Sequence, residues 1–138
     1  TLDVTWGDWT TAYPMLFENP EDVELMHRFR DGVLKRTALG SLYTELLYEQ
    51  SADVLTVLLD NPELLDQARD LFQANRGGIQ RALQGETPPL RRVGKIISFL
   101  DDFAAKSPPQ LKLLTQLIKA QFIGKWHKGD MFLGFSLD

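Results

Sequence analysis

The stretch that decides the fold is residues 61–83, which read NPELLDQARDLFQANRGGIQRAL. It opens with Asn61-Pro62, a pair typical of a helix start, because the Asn oxygen can accept an orphan backbone N–H and proline fits the first helical position. Gly77-Gly78 predicts a break or kink, since each glycine costs about 1 kcal/mol in a helix interior. The apolar side chains recur at the helical spacing of three and four: Leu64, Leu65, Ala68, Leu71, Phe72, Ile79, Ala82 and Leu83.

The same type of pair, a polar residue followed by proline, recurs along the chain in Asn19-Pro20, Thr87-Pro88 and Ser107-Pro108. An apolar helical period follows each pair, and two further helical faces occupy residues 38–60. Gly85 stands where a left-handed C-terminal cap is expected, and Gly124 is expected to close the last helix. We therefore predict an all-α fold, a compact bundle of five to seven helices that forms one domain over residues 1–138.

The two ends of the chain are rich in aromatic residues and lack a helical period. We expect residues 1–18 and 125–138 to be irregular or short extended segments that pack on the helical body, because large aromatic side chains are costly to leave in water. These segments are also the candidates for contact with a neighbouring domain or a protein partner. The candidate contact residues are Trp6, Trp9, Trp126, Phe132 and Phe135.

Length and composition exclude several classes of protein. The chain has 138 residues, of which 43% are hydrophobic, a length and composition that suit one domain with a real core. It has no cysteine, which excludes a disulfide scaffold, a thiolate zinc site and a cysteine nucleophile. No apolar run is long enough to span a membrane. Thr1 is not an initiator methionine, so we expect a processed product or a part of a longer polypeptide.

Charge is divided unevenly between the two halves of the chain. Residues 1–70 carry a net charge of −9 and residues 71–138 carry +5, which together give the net charge of −4. The cations of the second half can meet the acidic half within the fold, or they can contact an external anion. Nucleic-acid binding is the weaker expectation, because the chain is acidic overall. The candidate anion contacts are Arg91, Arg92, Lys95, Lys112 and Lys119.

The sequence contains no catalytic motif, and we expect a protein that is not an enzyme. Glu24-x-x-His27 has the i, i+3 spacing of helical di-metal sites, but such sites need a second copy. The other histidine, His127, has no glutamate at that spacing. Carboxylate pairs such as Asp66 and Asp70 are typical of exposed helix faces. We therefore predict no catalytic residue, no metal ligand and no cofactor.

Several short motifs of the first half resemble a known bacterial family. Phe29-Arg30-Asp31 with Leu34, then Gly40, then Tyr48-x-x-Ser51 and Pro62-Glu63-Leu64 follow the pattern FRD-x-x-L…G…YY-x-x-S…PEL. This pattern is similar to the helical C-terminal region of large, often extracellular, multidomain bacterial proteins, where it commonly follows a Cys-Phe-Ile box. This chain has no cysteine and has Leu47-Tyr48 in place of Tyr-Tyr. The resemblance implies a helical module, with Gly40 at a tight break between two helices.

Two functional hypotheses follow, from different classes of protein. The first is a non-enzymatic scaffold or protein-interaction module of a larger bacterial protein, extracellular or at the cell surface if the resemblance holds and cytoplasmic otherwise. The second is a helical bundle that binds a small ligand or lipid in an apolar cavity. An apolar cavity above about 300 Å³ would favour the second hypothesis. Its expected lining residues are Phe29, Phe72, Phe99 and Phe103.

Overall fold

The computed structural model describes residues 19–137. Within this range the chain forms six α-helices, which confirms the all-α prediction. A 3-10 turn, Leu34–Arg36, joins the first two helices, and a two-stranded antiparallel hairpin follows the last one. The predictions made for residues 1–18, including Trp6 and Trp9, lie outside the described residues. The helices are α1 (Pro20–Gly32), α2 (Ala38–Glu49), α3 (Ser51–Asp60), α4 (Pro62–Leu83), α5 (Val93–Ala105) and α6 (Pro109–Lys128), and the strands are β1 (Met131–Phe132) and β2 (Phe135–Ser136).

Proline marks three of the helix starts. α1 begins at Pro20 and α4 at Pro62, as predicted, while α6 begins at Pro109, one residue after the predicted start at Pro108. The predicted asparagine cap is wrong, however, because the side chains of Asn19 and Asn61 make no N-terminal cap hydrogen bond. The Nδ2 of Asn61 instead donates to the Val57 carbonyl at 2.8 Å. The restricted φ of proline is therefore the local signal that starts these helices.

The Thr87-Pro88 pair does not start a helix, and this prediction is wrong. Leu90 N donates to the Ser136 carbonyl, and Ser136 N donates to the Pro88 carbonyl, both at 2.8 Å. These bonds align residues 88–90 with β2, so the backbone there is extended. α5 begins only at Val93. Ser136 lies 46 residues after Leu90 in the chain. The residues next to Leu90 in the sequence therefore do not indicate that the backbone there is extended.

The glycine pair at 77–78 does not interrupt α4, which runs unbroken from Pro62 to Leu83. A Cβ at Gly78 would lie 2.9 Å from the ring of Phe135. Gly78 is therefore where the hairpin packs closely on the helix, and this packing offsets the low helix propensity of glycine. Gly85 has a φ of +90°, which confirms the predicted left-handed C-terminal cap.

The C-terminal boundary also needs correction. α6 continues through Gly124 to Lys128 and ends at Gly129, whose φ is +67°. The predicted irregular segment therefore begins too early, since residues 125–128 are helical. The hairpin beyond it packs on the helical body. Its Phe132 ring lies 5.2 Å from the Phe122 ring, and its Phe135 ring lies 6.0 Å from the Phe29 ring.

Gly40 lies inside α2 and not at a break between helices, so that expectation is also wrong. A Cβ there would lie 2.2 Å from the Leu34 carbonyl oxygen, which is backbone and cannot move aside easily. The preceding Thr37 caps α2, since its Oγ1 accepts from Gly40 N at 2.9 Å. Gly40 thus permits close packing of the helix start on the 3-10 turn.

Replacing Gly40 by alanine is expected to lower the free energy of unfolding by about 1–3 kcal/mol, the usual cost of overpacking. The matched control is Gly77→Ala, because nothing lies within 4 Å of a Cβ at that position. That control is expected to raise stability by up to about 1 kcal/mol through helix propensity alone. Urea denaturation measures both changes. Equal stability of the Gly40→Ala protein and the unsubstituted protein would contradict the close-packing argument.

Candidate functional site

One partly open cavity of about 510 Å³ lies among the helices of the bundle. Every described helix contributes to its wall, as do the 3-10 turn and the hairpin. The wall is predominantly apolar, and six residues show how each helix contributes in chain order: Met26, Leu47, Leu58, Phe72, Phe99 and Ile118. The cavity is therefore a property of the whole tertiary structure and not of one motif.

Three of the four predicted aromatic residues line this cavity. Phe72 comes from α4, and Phe99 and Phe103 come from α5, with their two rings 5.7 Å apart. The prediction is wrong for Phe29, which does not line the cavity and packs edge-on against Phe135 in a neighbouring buried cluster. Helical period identifies the buried face of α1, but it does not identify which neighbour that face meets.

Arg30 is the one charged side chain among the described residues that line the cavity. Its Nε and Nη2 donate to the two oxygens of Asp31, at 2.9 and 3.1 Å. Its Nη1 donates to the hydroxyl of Tyr48 at 2.9 Å, which joins α1 to α2. Lys35 also reaches Asp31, with 3.4 Å between Nζ and Oδ1. The Arg30 hydrogen bond is the main cause that lowers the pKa of the Asp31 carboxyl.

The other hydroxyl groups of the wall are engaged within the fold. Thr44 Oγ1 donates to the Gly40 carbonyl and Thr115 Oγ1 donates to the Leu111 carbonyl, both at 2.8 Å. The hydroxyl of Tyr43 donates to Gln121. Burial raises the pKa of Tyr43 to about 12. The hydroxyls of Thr44, Thr115 and Tyr43 are thus bonded within the protein, as Arg30 and Tyr48 are to each other.

The five predicted anion contacts are not brought together. Lys112 and Lys119 line a second groove between α5 and α6, and Lys119 pairs with Asp101 at 2.5 Å. The others, Arg91, Arg92 and Lys95, are exposed at the start of α5 and do not line that groove. Among the ion pairs within residues 19–137, Arg76–Asp22 joins the basic and acidic halves of the chain.

The predicted partner contacts divide into exposed and buried side chains. Trp126 is 39% exposed and stacks on His127 with 6.0 Å between the rings, so its role in partner contact stays a prediction. Phe132 and Phe135 are 9% and 5% exposed. This burial corrects the expectation for these two residues, because their side chains pack on the chain's own helices and offer little surface to a partner.

Metal binding and membrane insertion can both be examined in the part of the chain that the structure describes. No group of three histidine, aspartate or glutamate side chains there is arranged to hold a metal ion. Burial, followed by the charge of Arg30, lowers the pKa of His27, the histidine of the Glu24-x-x-His27 motif. Between residues 19 and 137, no helix is both long and apolar enough to cross a membrane.

Comparisons of this chain with protein-family models, with curated proteins and with solved structures gave no match. The resemblance to the helical region of large bacterial proteins therefore stays a prediction. Its residues nevertheless meet in space, since Arg30 and Asp31 of one motif and Tyr48 of another form one hydrogen-bonded group. The sequence did not indicate that this group lies at the cavity wall. Arg30 and Tyr48 are 18 residues apart and lie on different helices, so only the packing of those helices brings them together.

Proposed function

We propose that this chain is a non-enzymatic helical module that binds an apolar small molecule or acyl chain in its central cavity. The observation that carries the proposal is the cavity of about 510 Å³ with a predominantly apolar wall drawn from every described helix. Ligand sites are typically apolar cavities of roughly 300–1,000 Å³ with a few placed polar groups. Arg30 and Tyr48 are such groups here.

The volume indicates the size of the ligand. An apolar cavity of about 150 Å³ holds one benzene ring, so this cavity has room for about three times that number of carbon atoms, or roughly 18. Burying a twelve-carbon chain contributes roughly 10 kcal/mol at about 0.8 kcal/mol per methylene. Association costs at least about 4 kcal/mol. The dissociation constant expected for a dodecyl ligand is therefore tens of micromolar at the lowest.

Isothermal calorimetry, in which the full chain is titrated into 1-dodecanol kept below its aqueous solubility, tests the proposal. Ala68 lines the cavity, so Ala68→Phe is expected to fill it and weaken dodecanol binding at least tenfold. The matched control is Ala52→Phe, at an exposed position of α3, which is expected to leave affinity unchanged. Thermal melting confirms that each variant is folded, and Leu47→Phe serves as a second cavity-filling variant.

Two results would overturn the proposal. One is the absence of dodecanol binding when the alcohol is kept below its aqueous solubility and the unsubstituted chain reaches millimolar concentration. The other is unchanged affinity in a folded protein that carries Ala68→Phe or Leu47→Phe, because the ligand would then lie elsewhere.

The scaffold or interaction role within a larger bacterial protein is the second candidate. It is supported by two leucines four residues apart on α6, Leu113 and Leu117, which are 67% and 47% exposed. Residues four apart lie on one face of a helix, and an apolar face of this kind can pack on a neighbouring helix. The two roles are compatible, since these leucines do not line the cavity. An anion- or nucleic-acid-binding role has less support, because the predicted cations lie apart.

A further inference from the structure

We propose that the outer face of α6 is a docking surface for an acidic amphipathic helix of a protein partner. The centre of this surface is the α6 stripe, which consists of Leu113, Leu117, Ala120 and Gly124. The inference rests on the interaction role, the second candidate function, and is independent of the cavity. It goes further because it assigns both the place of contact and the chemistry of the partner.

The α6 stripe is not covered by any of the residues 19–137. Leu113 and Leu117 are 67% and 47% exposed, and Ala120 and Gly124 are exposed as well. A Cβ at Gly124 would have nothing within 4 Å. The four positions follow one another at intervals of four, three and four residues, which is the spacing of a coiled-coil seam. A narrow apolar line of this kind suits contact with another helix.

A groove beside the α6 stripe extends the apolar surface. It lies between α5 and α6, has a volume of about 510 Å³ and includes Ala120 in its wall, so it is continuous with the stripe. Leu100 and Ile123 also line it, together with Lys112 and Lys119. Amphipathic helices bind to proteins by placing their apolar face in a hydrophobic groove. The stripe and the groove together therefore offer a surface on which such a helix can lie.

The charge around this surface determines the chemistry of the partner. Residues 93–128 contain six lysines and two aspartates, a net charge of +4, and α6 itself contains four lysines and no acidic residue. Lys119 pairs with Asp101. Lys112 and Lys125 take part in no ion pair among the residues that the structure describes. Carboxylates beside the apolar face of a partner helix would complement these cations.

The same features disfavour two other occupants. Two copies of this chain that met through their α6 stripes would bring lysines against lysines, and like charges oppose such a contact. An anionic membrane would attract the lysines as well. The α6 stripe, however, spans only roughly 60° around the helix, which is narrower than the apolar face of about 100° that a surface helix usually buries. An acidic helix is therefore the occupant that satisfies both the shape and the charge.

Fluorescence anisotropy of the full chain with a labelled peptide tests the inference. The peptide has three heptads with leucine at positions a and d, glutamate at e and g, and alanine elsewhere. The matched peptide has lysine in place of every glutamate. At an ionic strength of about 0.05 M, we expect the glutamate peptide to bind at least tenfold more tightly, because both peptides bury the same leucines. This preference is expected to shrink as salt is added.

Substitutions at exposed positions locate the binding surface. The double variant Leu113→Gln, Leu117→Gln is expected to weaken binding of the glutamate peptide at least tenfold, and Lys112→Gln is expected to reduce the preference between the peptides. The matched control is Leu42→Gln, because Leu42 is 45% exposed but lies on α2, and it is expected to keep both the affinity and the preference. If the double variant does not fold, Leu113→Gln alone replaces it.

The outcomes separate this inference from the interaction role on which it rests. Equal affinity for the two peptides, lost in the leucine variants, would overturn the acidic partner, while the interaction role would stand. Binding that survives in a folded leucine variant would overturn the assignment to the α6 stripe. If neither peptide binds, both fail. Dimerisation in sedimentation, or binding to phosphatidylglycerol vesicles, that exceeds peptide binding and needs the same leucines would overturn the inference in favour of a second copy or a membrane.

Discussion

Replacement of Arg76 by methionine is expected to lower the free energy of unfolding by up to about 3–5 kcal/mol, the cost of removing one partner of a fully buried ion pair, because Arg76 is 32% exposed while its partner is buried. Its partner Asp22 lies in the first turn of α1 and is only 1% exposed. The Nε of Arg76 reaches Asp22 Oδ1 at 2.6 Å, while Gln73 approaches the other oxygen only at 3.5 Å. Without Arg76, a buried carboxylate loses its charged partner.

Chemical denaturation at neutral pH measures this loss. The matched control is Arg81→Met, because the Arg81–Glu86 pair has side chains about half exposed and should contribute about 0–1 kcal/mol. Adding Asp22→Asn to Arg76→Met is expected to recover part of the stability, since it removes the uncompensated charge. A loss no larger than that of the control would show that the pair does not hold α1 against α4.

Replacement of Phe122 by alanine is expected to cost about 3–5 kcal/mol, the range for deleting a buried phenylalanine ring. Phe122 is 1% exposed and belongs to the buried cluster formed by Tyr43, Phe132 and Leu137. This residue therefore holds the hairpin on the helical body. We expect a lower denaturation midpoint and loss of the hairpin's amide protection in hydrogen exchange before the helices lose theirs.

Leu113→Ala is the matched control for Phe122→Ala, because Leu113 lies on the same helix and is 67% exposed. Its effect is expected to stay within about 0.5 kcal/mol, as is usual for surface positions. Similar losses in the two variants would contradict the assignment of Phe122 to the core. Unchanged hydrogen exchange in the hairpin would contradict its role in holding that segment.

Three aromatic residues of the cavity could be predicted individually from the sequence. That they share one cavity with Arg30 and Tyr48 could not. Phe72, Phe99 and Phe103 stand on periodic apolar faces, and that period is sufficient to place them inside the bundle. Phe29 satisfies the same period and lies in another cluster. The hydrogen bond from Arg30 to Tyr48 spans two helices, so neither residue's neighbours in the sequence indicate it.

The sequence alone determined those helix starts and ends that depend on the backbone conformation of a single residue. Proline at 20 and 62 starts helices because its φ is restricted, and Gly85 ends α4 because it tolerates a positive φ. The tertiary structure decided what depends on distant partners. Gly78 stays helical under Phe135, and residues 88–90 are extended because Ser136 bonds to them. Such contacts outweigh local preferences of about 1 kcal/mol, and the central cavity likewise exists only where all six helices meet.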